Sequence, residues 1–265
     1  LLENIWNQLY QVVVGKFYSP ATLGQYTRGR EYASIFSSNL SSIIQRVSYP
    51  VLSEMQDDKH RMVEGYRRVI KMTMFITAIC MISLGAVAEP LIYCLIGPQW
   101  HEAATYLPLI CISMAFYPLH AINLNMLKVL GRSDIFLYLE IIKKIIGIIP
   151  ICIGIFIDIY WMLVASILIG FVSLYLNSWY TGKALGYTFW HQLRDIAPSF
   201  GIAFTIAISV FFFKYLPVSN WLILPIQIVV GVVVCIIACR KSQLEEYKEV
   251  LRMIQPMWRK VKKNH

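Results

Sequence analysis

Three arginines fall on one stretch of the chain, TLGQYTRGREYASIFSSNLSSIIQRVSYP from Thr22 to Pro50, at positions Arg28, Arg30 and Arg46. Tyr26, Tyr32 and Asn39 stand among them. A guanidinium group grips a phosphate through a rigid fork of N–H donors, and aromatic faces and amides suit sugars. A second set, Lys143 and Lys144 with Glu140, is spaced so that the carboxylate reaches either amine along a helix face. His120 follows Pro118, just past a bend, and is the last candidate. These groups suit holding a polar anion rather than making or breaking bonds. Five histidines (60, 101, 120, 191, 265) assemble with no carboxylate in an acid–base spacing. His191 and Asp195 lie one turn apart, in a basic connection that reads as surface polarity. The six cysteines sit singly in apolar runs without paired spacing, so no disulfide framework, metal site or cofactor is implied.

Each candidate has a plainer structural reading. Residues 31 to 45, between Arg30 and Arg46, span about 22 Å by helical rise, so the arginines have the reach to snorkel to headgroups at opposite ends of one helix. Arg30, Ser34, Ser37, Ser38, Ser41, Gln45 and Ser48 form a stripe opposite the one through Gln25, Arg28, Tyr32, Asn39 and Arg46. Small residues four apart favour close helix packing over sugar binding. Glu140 can simply neutralise one lysine, and His120 can be a satisfied polar residue.

The elements that must position these groups are membrane helices. The chain is 57% hydrophobic and 15% charged, with a mean hydropathy of +0.57, too apolar for 265 residues to hide in one soluble core. Eight spans are expected, at about 2–17, 22–49, 66–87, 103–129, 134–157, 158–180, 196–215 and 221–239. Asn4, Asn7, Gln8 and Gln11 make the first the least apolar. From Thr22 to Tyr49 no proline intervenes, and one helix there is about 42 Å long. Its polar stripes require protein or water along much of its girth, because polar groups are costly in hydrocarbon. Pro50 is expected to end it, Pro108 and Pro118 to kink the fourth span, and Gly147 with Pro150 to bend the fifth. Ser133-Asp134 reads as an N-cap, and Trp100 and Trp221 as interfacial anchors. Since the chain opens at Leu1 without a signal peptide's features, it reads as part of a longer protein.

From Gln243 the pattern changes. Leu244, Tyr247, Leu251, Ile254 and Trp258 follow a three-four spacing broken at Pro256, with Arg259, Lys260, Lys262 and Lys263 beyond. Such an amphipathic helix is expected to lie on anionic lipid. The net charge of +9 has the same explanation, and nucleic acid is not implied. If the first span starts inside, most of the 24 Lys and Arg residues fall in inner connections and the tail, with Lys16 and Lys214 outside. Both ends of this segment are then cytoplasmic.

Four local patterns occur in order: Leu23-Gly24-Gln25-Tyr26; Tyr49-Pro50-Val51-Leu52-Ser53 leading to Gln56-Asp57-Asp58; Leu95-Ile96-Gly97-Pro98-Gln99-Trp100; and Leu130-Gly131-Arg132. Together they resemble bacterial oligosaccharide flippases of the polysaccharide transporter family, in the multidrug/oligosaccharidyl-lipid/polysaccharide exporter superfamily. The resemblance implies an all-α integral membrane protein of two lobes facing a central cavity. Residues 1–185 would be the second six-helix lobe, 186–242 two additional helices, and 243–265 the basic cytoplasmic tail, the N-terminal lobe being absent. It also implies a non-enzymatic function in the bacterial cytoplasmic membrane: moving undecaprenyl-pyrophosphate-linked oligosaccharide from the inner to the outer leaflet by rocking of the lobes. Other readings are a polymerase or ligase of polysaccharide assembly, a drug or cation antiporter, and a non-transporting scaffold. Short outer loops without paired acid–base residues speak against the enzyme. Mostly basic candidates speak against a cation carrier.

Overall fold

A computed structural model describes residues 2–55 and 58–252, without the side chains of residues 2–8, Gln45 and Val47. The expected polarity of Asn4, Asn7 and Gln8, the Gln56-Asp57 part of one motif and the tail from 253 to 265 lie outside the described residues. Among those described the chain is helical throughout, with no strands. The helices are α1 (Leu2–Phe17), α2 (Pro20–Ser53), α3 (Lys59–Ala86), α4 (Ala88–Ile96), α5 (His101–Ala115), α6 (Tyr117–Val129), α7 (Ser133–Ile146), α8 (Ile148–Phe156), α9 (Ile159–Leu185), α10 (Phe189–Phe211) and α11 (Asn220–Ser242).

Five stretches are long and apolar enough to cross a membrane: Lys59–Ala86, Pro98–Val129, Ile159–Leu185, Phe189–Tyr215 and Asn220–Ser242. The protein is thus a multi-pass membrane protein, although not all eight expected spans meet that standard. The polar stripes of α2 dilute its hydropathy, and α7 and α8 are separate short helices.

Local chemistry explains most of the helix boundaries. Ser19 caps α2 by accepting a hydrogen bond from the Thr22 amide at 3.1 Å, with Pro20 in the first turn. Pro50 does not end α2, which runs on to Ser53. In the last turn a proline forfeits one backbone bond while its fixed φ remains helical. Asp58 accepts from the His60 and Arg61 amides at 3.0 and 3.1 Å, so α3 starts at Lys59, ahead of its apolar run. The Pro118 break separates α5 from α6, and α7 gives way to α8 at Gly147. Ser133 and Asp134 do not cap α7: its cap position is Arg132, with no side-chain cap bond. Asp134 instead pairs with Arg132 at 3.1 Å, because the turn at Gly131 (φ 70°) brings the two charges together. Asp158 caps α9, accepting from the Trp161 amide at 2.8 Å, and left-handed Gly186 closes it, carrying it past Tyr180.

In the interior, α2 packs on α5 and α6, α3 packs on α10, and α8 packs on α9, with α11 against α10 and α4. Tyr66, Leu52, Ile70, Met74, Leu119 and Ile122 form part of one buried cluster, and Leu107, Cys111, Met81 and Ile92 part of another. Most of α11 is exposed, including Trp221, Leu222, Ile226, Val229, Val233 and Ile237, as suits a helix facing lipid.

The described part of the tail departs from expectation. Residues 245–252 are helical, but they dock on the bundle, where Leu244, Tyr247 and Val250 pack against Phe75, Ile202, Ile206 and Cys239. Lys71 pairs with buried Glu246 at 2.8 Å, and Arg68 with Glu249 at 2.5 Å. Of its expected apolar stripe, Leu244 and Tyr247 pack on the bundle and Leu251 is exposed, while its glutamates meet basic residues of α3. The cluster Arg259, Lys260, Lys262 and Lys263, expected to touch anionic lipid, lies outside the described residues.

Candidate functional site

Helix α2 carries its polar residues on two faces, and packing gives them different surroundings. The inward face is buried at Tyr26, Gly29, Ala33, Ser37, Ser41, Ser48 and Leu52. A methyl group on Gly29 would stand 3.3 Å from the Ala103 carbonyl oxygen, so α2 and α5 approach closely there. Ser37 donates to the Met114 carbonyl at 2.8 Å and Ser41 to the Ser37 carbonyl at 2.7 Å. These two serines are therefore packing residues. Gln25 serves the same contact: its amide donates to the Gln99 carbonyl at 2.7 Å and accepts from the Ala103 amide at 3.0 Å.

The outward face presents Arg28, Glu31, Ser38, Asn39, Arg46 and Tyr49, all exposed, with Ile35 and Phe36 between them. Arg28 pairs with Glu31 at 2.8 Å and lies 5.7 Å from the centre of the Trp100 ring. Asn39 donates to the Ile35 carbonyl at 2.6 Å. From Arg28 to Arg46 this strip is about 27 Å long by helical rise. Tyr32 is not part of it, being half-buried against the core.

A cavity of about 430 Å³ opens inside the bundle, walled by α1, α2 and α5 to α9. Of the nine sequence candidates, Tyr26, Arg30, His120, Lys143 and Lys144 line it; Arg28, Tyr32, Asn39 and Arg46 do not. One helix therefore serves two environments. Arg30 donates to the Tyr26 hydroxyl at 3.4 Å, Lys143 pairs with Glu140, and Tyr10 donates to the Gly147 carbonyl at 3.3 Å. His120 Nδ1 lies 3.2 Å from the Asn177 amide nitrogen, so this ring is tethered as well as facing the cavity. Lys128 also lines the chamber, 4.5 Å from the centre of the Phe136 ring. The signal for it is the period: His120, Leu124 and Lys128 recur every fourth residue on one face of α6.

Behind His120 lies a buried polar knot. Asn123 accepts from Tyr66 at 2.6 Å and from Thr181 at 3.1 Å, and exchanges two hydrogen bonds of 3.0 Å with the Gln192 amide. Ser178 also donates to Gln192, at 3.2 Å. The knot ties α3, α6, α9 and α10 together. Nearby, Arg67 grips Asp195 with two bonds of 2.5 and 2.6 Å, and Tyr187 donates to the same carboxylate at 2.7 Å. Burial and the adjacent carboxylate push the Tyr187 phenol up, so it stays a neutral donor. Asp195 thus does not face His191, which bonds Thr188 at 2.9 Å instead.

Among the described residues the arrangement is an all-α membrane bundle around a cavity whose charged lining is mostly basic. A solved structure, the lipid II flippase MurJ in an inward closed conformation, superposes with a TM-score of 0.64 at 16% identity, over 84% of this chain and 47% of that one. Residues 1–105 match the family described as polysaccharide biosynthesis protein. A succinoglycan biosynthesis transport protein of Rhizobium meliloti (strain 1021) is 25% identical over 134 residues, which are 51% of this chain and 27% of that protein. A teichuronic acid biosynthesis protein of Bacillus subtilis (strain 168) is 22% identical over 138 residues, 52% of this chain and 29% of the relative. These likenesses agree with the resemblance to polysaccharide transporters that its motifs carry. It spans about half the length of the solved flippase.

Proposed function

We propose that the chain is one lobe of a flippase that carries undecaprenyl-pyrophosphate-linked oligosaccharide from the inner to the outer leaflet of the bacterial cytoplasmic membrane. The exposed polar strip of α2, with Arg28, Asn39 and Arg46, is the observation that carries this reading. Charged and amide side chains along some 27 Å of a membrane helix are tolerated only against protein or water. A second lobe, outside this chain, faces the strip and closes the path; the chain's match to 47% of a solved flippase supports that. Residues 1–185 form the lobe, 186–242 the two added helices, and both ends of this segment lie in the cytoplasm. The arginines take the pyrophosphate charge, Asn39 the sugars, and rocking of the lobes exposes the strip to each side in turn. Nothing in this cycle requires a covalent step.

The test is complementation. The full-length protein is expressed in a strain lacking its own flippase, and lipid-linked oligosaccharide is measured on each leaflet. Arg28→Gln with Arg46→Gln is expected to cut export at least tenfold at unchanged membrane abundance. Export at the unsubstituted rate would overturn the assignment of α2 as the path.

A further inference from the structure

The segment that follows α11 is fastened across three helices. Leu244, Tyr247 and Val250 share one apolar cluster with Phe75 of α3, Ile202 and Ile206 of α10 and Cys239 of α11. Beside that cluster α3 supplies cations, Lys71 to Glu246 at 2.8 Å and Arg68 to Glu249 at 2.5 Å. Helix α11 itself packs on α10 and α4. Residues 244–252 therefore act as a clasp, adding a tie from the end of α11 to α3.

Two features make the docked clasp costly. Gln243, which joins it to α11, holds a left-handed backbone with φ 50° and ψ 27°. Among the described residues it is the one non-glycine residue with positive φ, a conformation in which the side chain crowds the backbone. Glu246 is the second. Only 4% of its side chain is exposed, and Oε2 is buried with no hydrogen-bond partner among the described residues. Burying a carboxylate costs free energy that one ion pair offsets only in part when the other oxygen goes unpaired. Three apolar side chains and two ion pairs stand against these costs, which brings the docked and released states close in free energy. Ions also reach the pairs. A cleft of about 380 Å³ opens between α3 and the clasp, with Arg68, Lys71, Glu246 and Glu249 on its walls. The Arg68 side chain is 70% exposed, so salt screens its pair.

We propose that residues 244–252 are a releasable clasp, hinged at Gln243 and controlled by ionic strength. Docked, they fasten the end of α11 to α3; released, they let that end part from α3. This goes beyond the transport reading and does not depend on the cargo.

The experiment uses the full-length protein in lipid nanodiscs with its native cysteines replaced. Nitroxide labels at Arg61→Cys on α3 and Lys248→Cys on the clasp, both exposed positions, report distances by double electron–electron resonance. A short docked distance and a longer released one are expected. The released fraction should rise about threefold between about 0.05 and about 1 M salt, where the screening length falls to about 3 Å. Gln243→Gly takes the left-handed turn without strain and should lower that fraction about fivefold. Lys71→Met should raise it about fivefold, and Arg68→Gln, at an exposed position, stands in if that variant misfolds. A second label pair, Arg61→Cys with Lys241→Cys at the end of α11, should lengthen in step with release. One distance under every condition, failure of the hinge and ion-pair variants to shift the populations in opposite directions, or an unmoved α11 end would overturn the proposal. Distances are read without cargo, so this result and the export result for α2 fail independently.

Discussion

Asn123 is the hub of the buried polar knot among the described residues. It is fully buried and joins Tyr66, Thr181 and Gln192, so Asn123→Leu removes the acceptor of the Tyr66 hydroxyl and both of its bonds with the Gln192 amide, while Thr181 keeps the Asn177 and Ser178 carbonyls. Each orphaned buried group costs about 1–3 kcal/mol, and the variant is expected to lower the unfolding temperature in detergent clearly, where Asn39→Ala on the exposed strip barely shifts it. Equal shifts would mean the knot contributes nothing special. The sequence showed Asn123 as a polar residue beside a proline bend, but not as a hub. Its partners come from positions 57, 58 and 69 residues away, and no local spacing encodes such meetings. His120 is the converse case: both of its readings, tethered polar residue and cavity wall, describe it at once.

At the scale of elements, α2 decides how the site is divided. Helical period alone puts the residues of α2 on faces, and the faces were readable; which face meets α5 and which stands open depends on contacts outside the helix. Gly29→Leu is expected to push α2 off α5, because even a methyl group there already sits 3.3 Å from backbone. Lower yield of folded protein on size exclusion checks it, and a wild-type profile would show that the approach is slack. The C-terminal helix makes a second element-scale case. Lys71→Met leaves buried Glu246 without its cation and is expected to loosen the clasp by roughly 1–3 kcal/mol. Limited proteolysis should then cut near Gln243 several-fold faster, while Arg240→Gln, on exposed surface, should leave the rate alone. The amphipathic spacing of 244–251 was legible; its docking surface was not, since an apolar stripe fits lipid and a groove of Phe75, Ile202 and Ile206 equally well.

For the whole molecule, orientation is the quantity that charge asymmetry addresses. With basic connections inside, cysteines introduced at Asp134 and at Lys214 are expected to react with a membrane-impermeant thiol reagent from opposite sides of the membrane, in a protein whose six native cysteines have been replaced. Labelling of both from one side would remove the inside-to-outside sense of the proposed cycle. At this scale the two polar faces of α2 also acquire separate surroundings, one turned towards the interior cavity and one away from it.

The amino-acid order by itself determined that this is a helical membrane protein, where most helices break, and on which short stretch three arginines gather. Those properties arise from hydropathy, proline geometry and periodicity, which act over a few residues. Tertiary structure alone decided that Arg30 joins Lys128, Lys143 and Lys144 around one cavity while Arg28 and Arg46 stand outside it. That separation requires α5 and α6 to cover one side of α2, and burial of that kind is settled by how distant helices pack, not by any window of neighbouring residues.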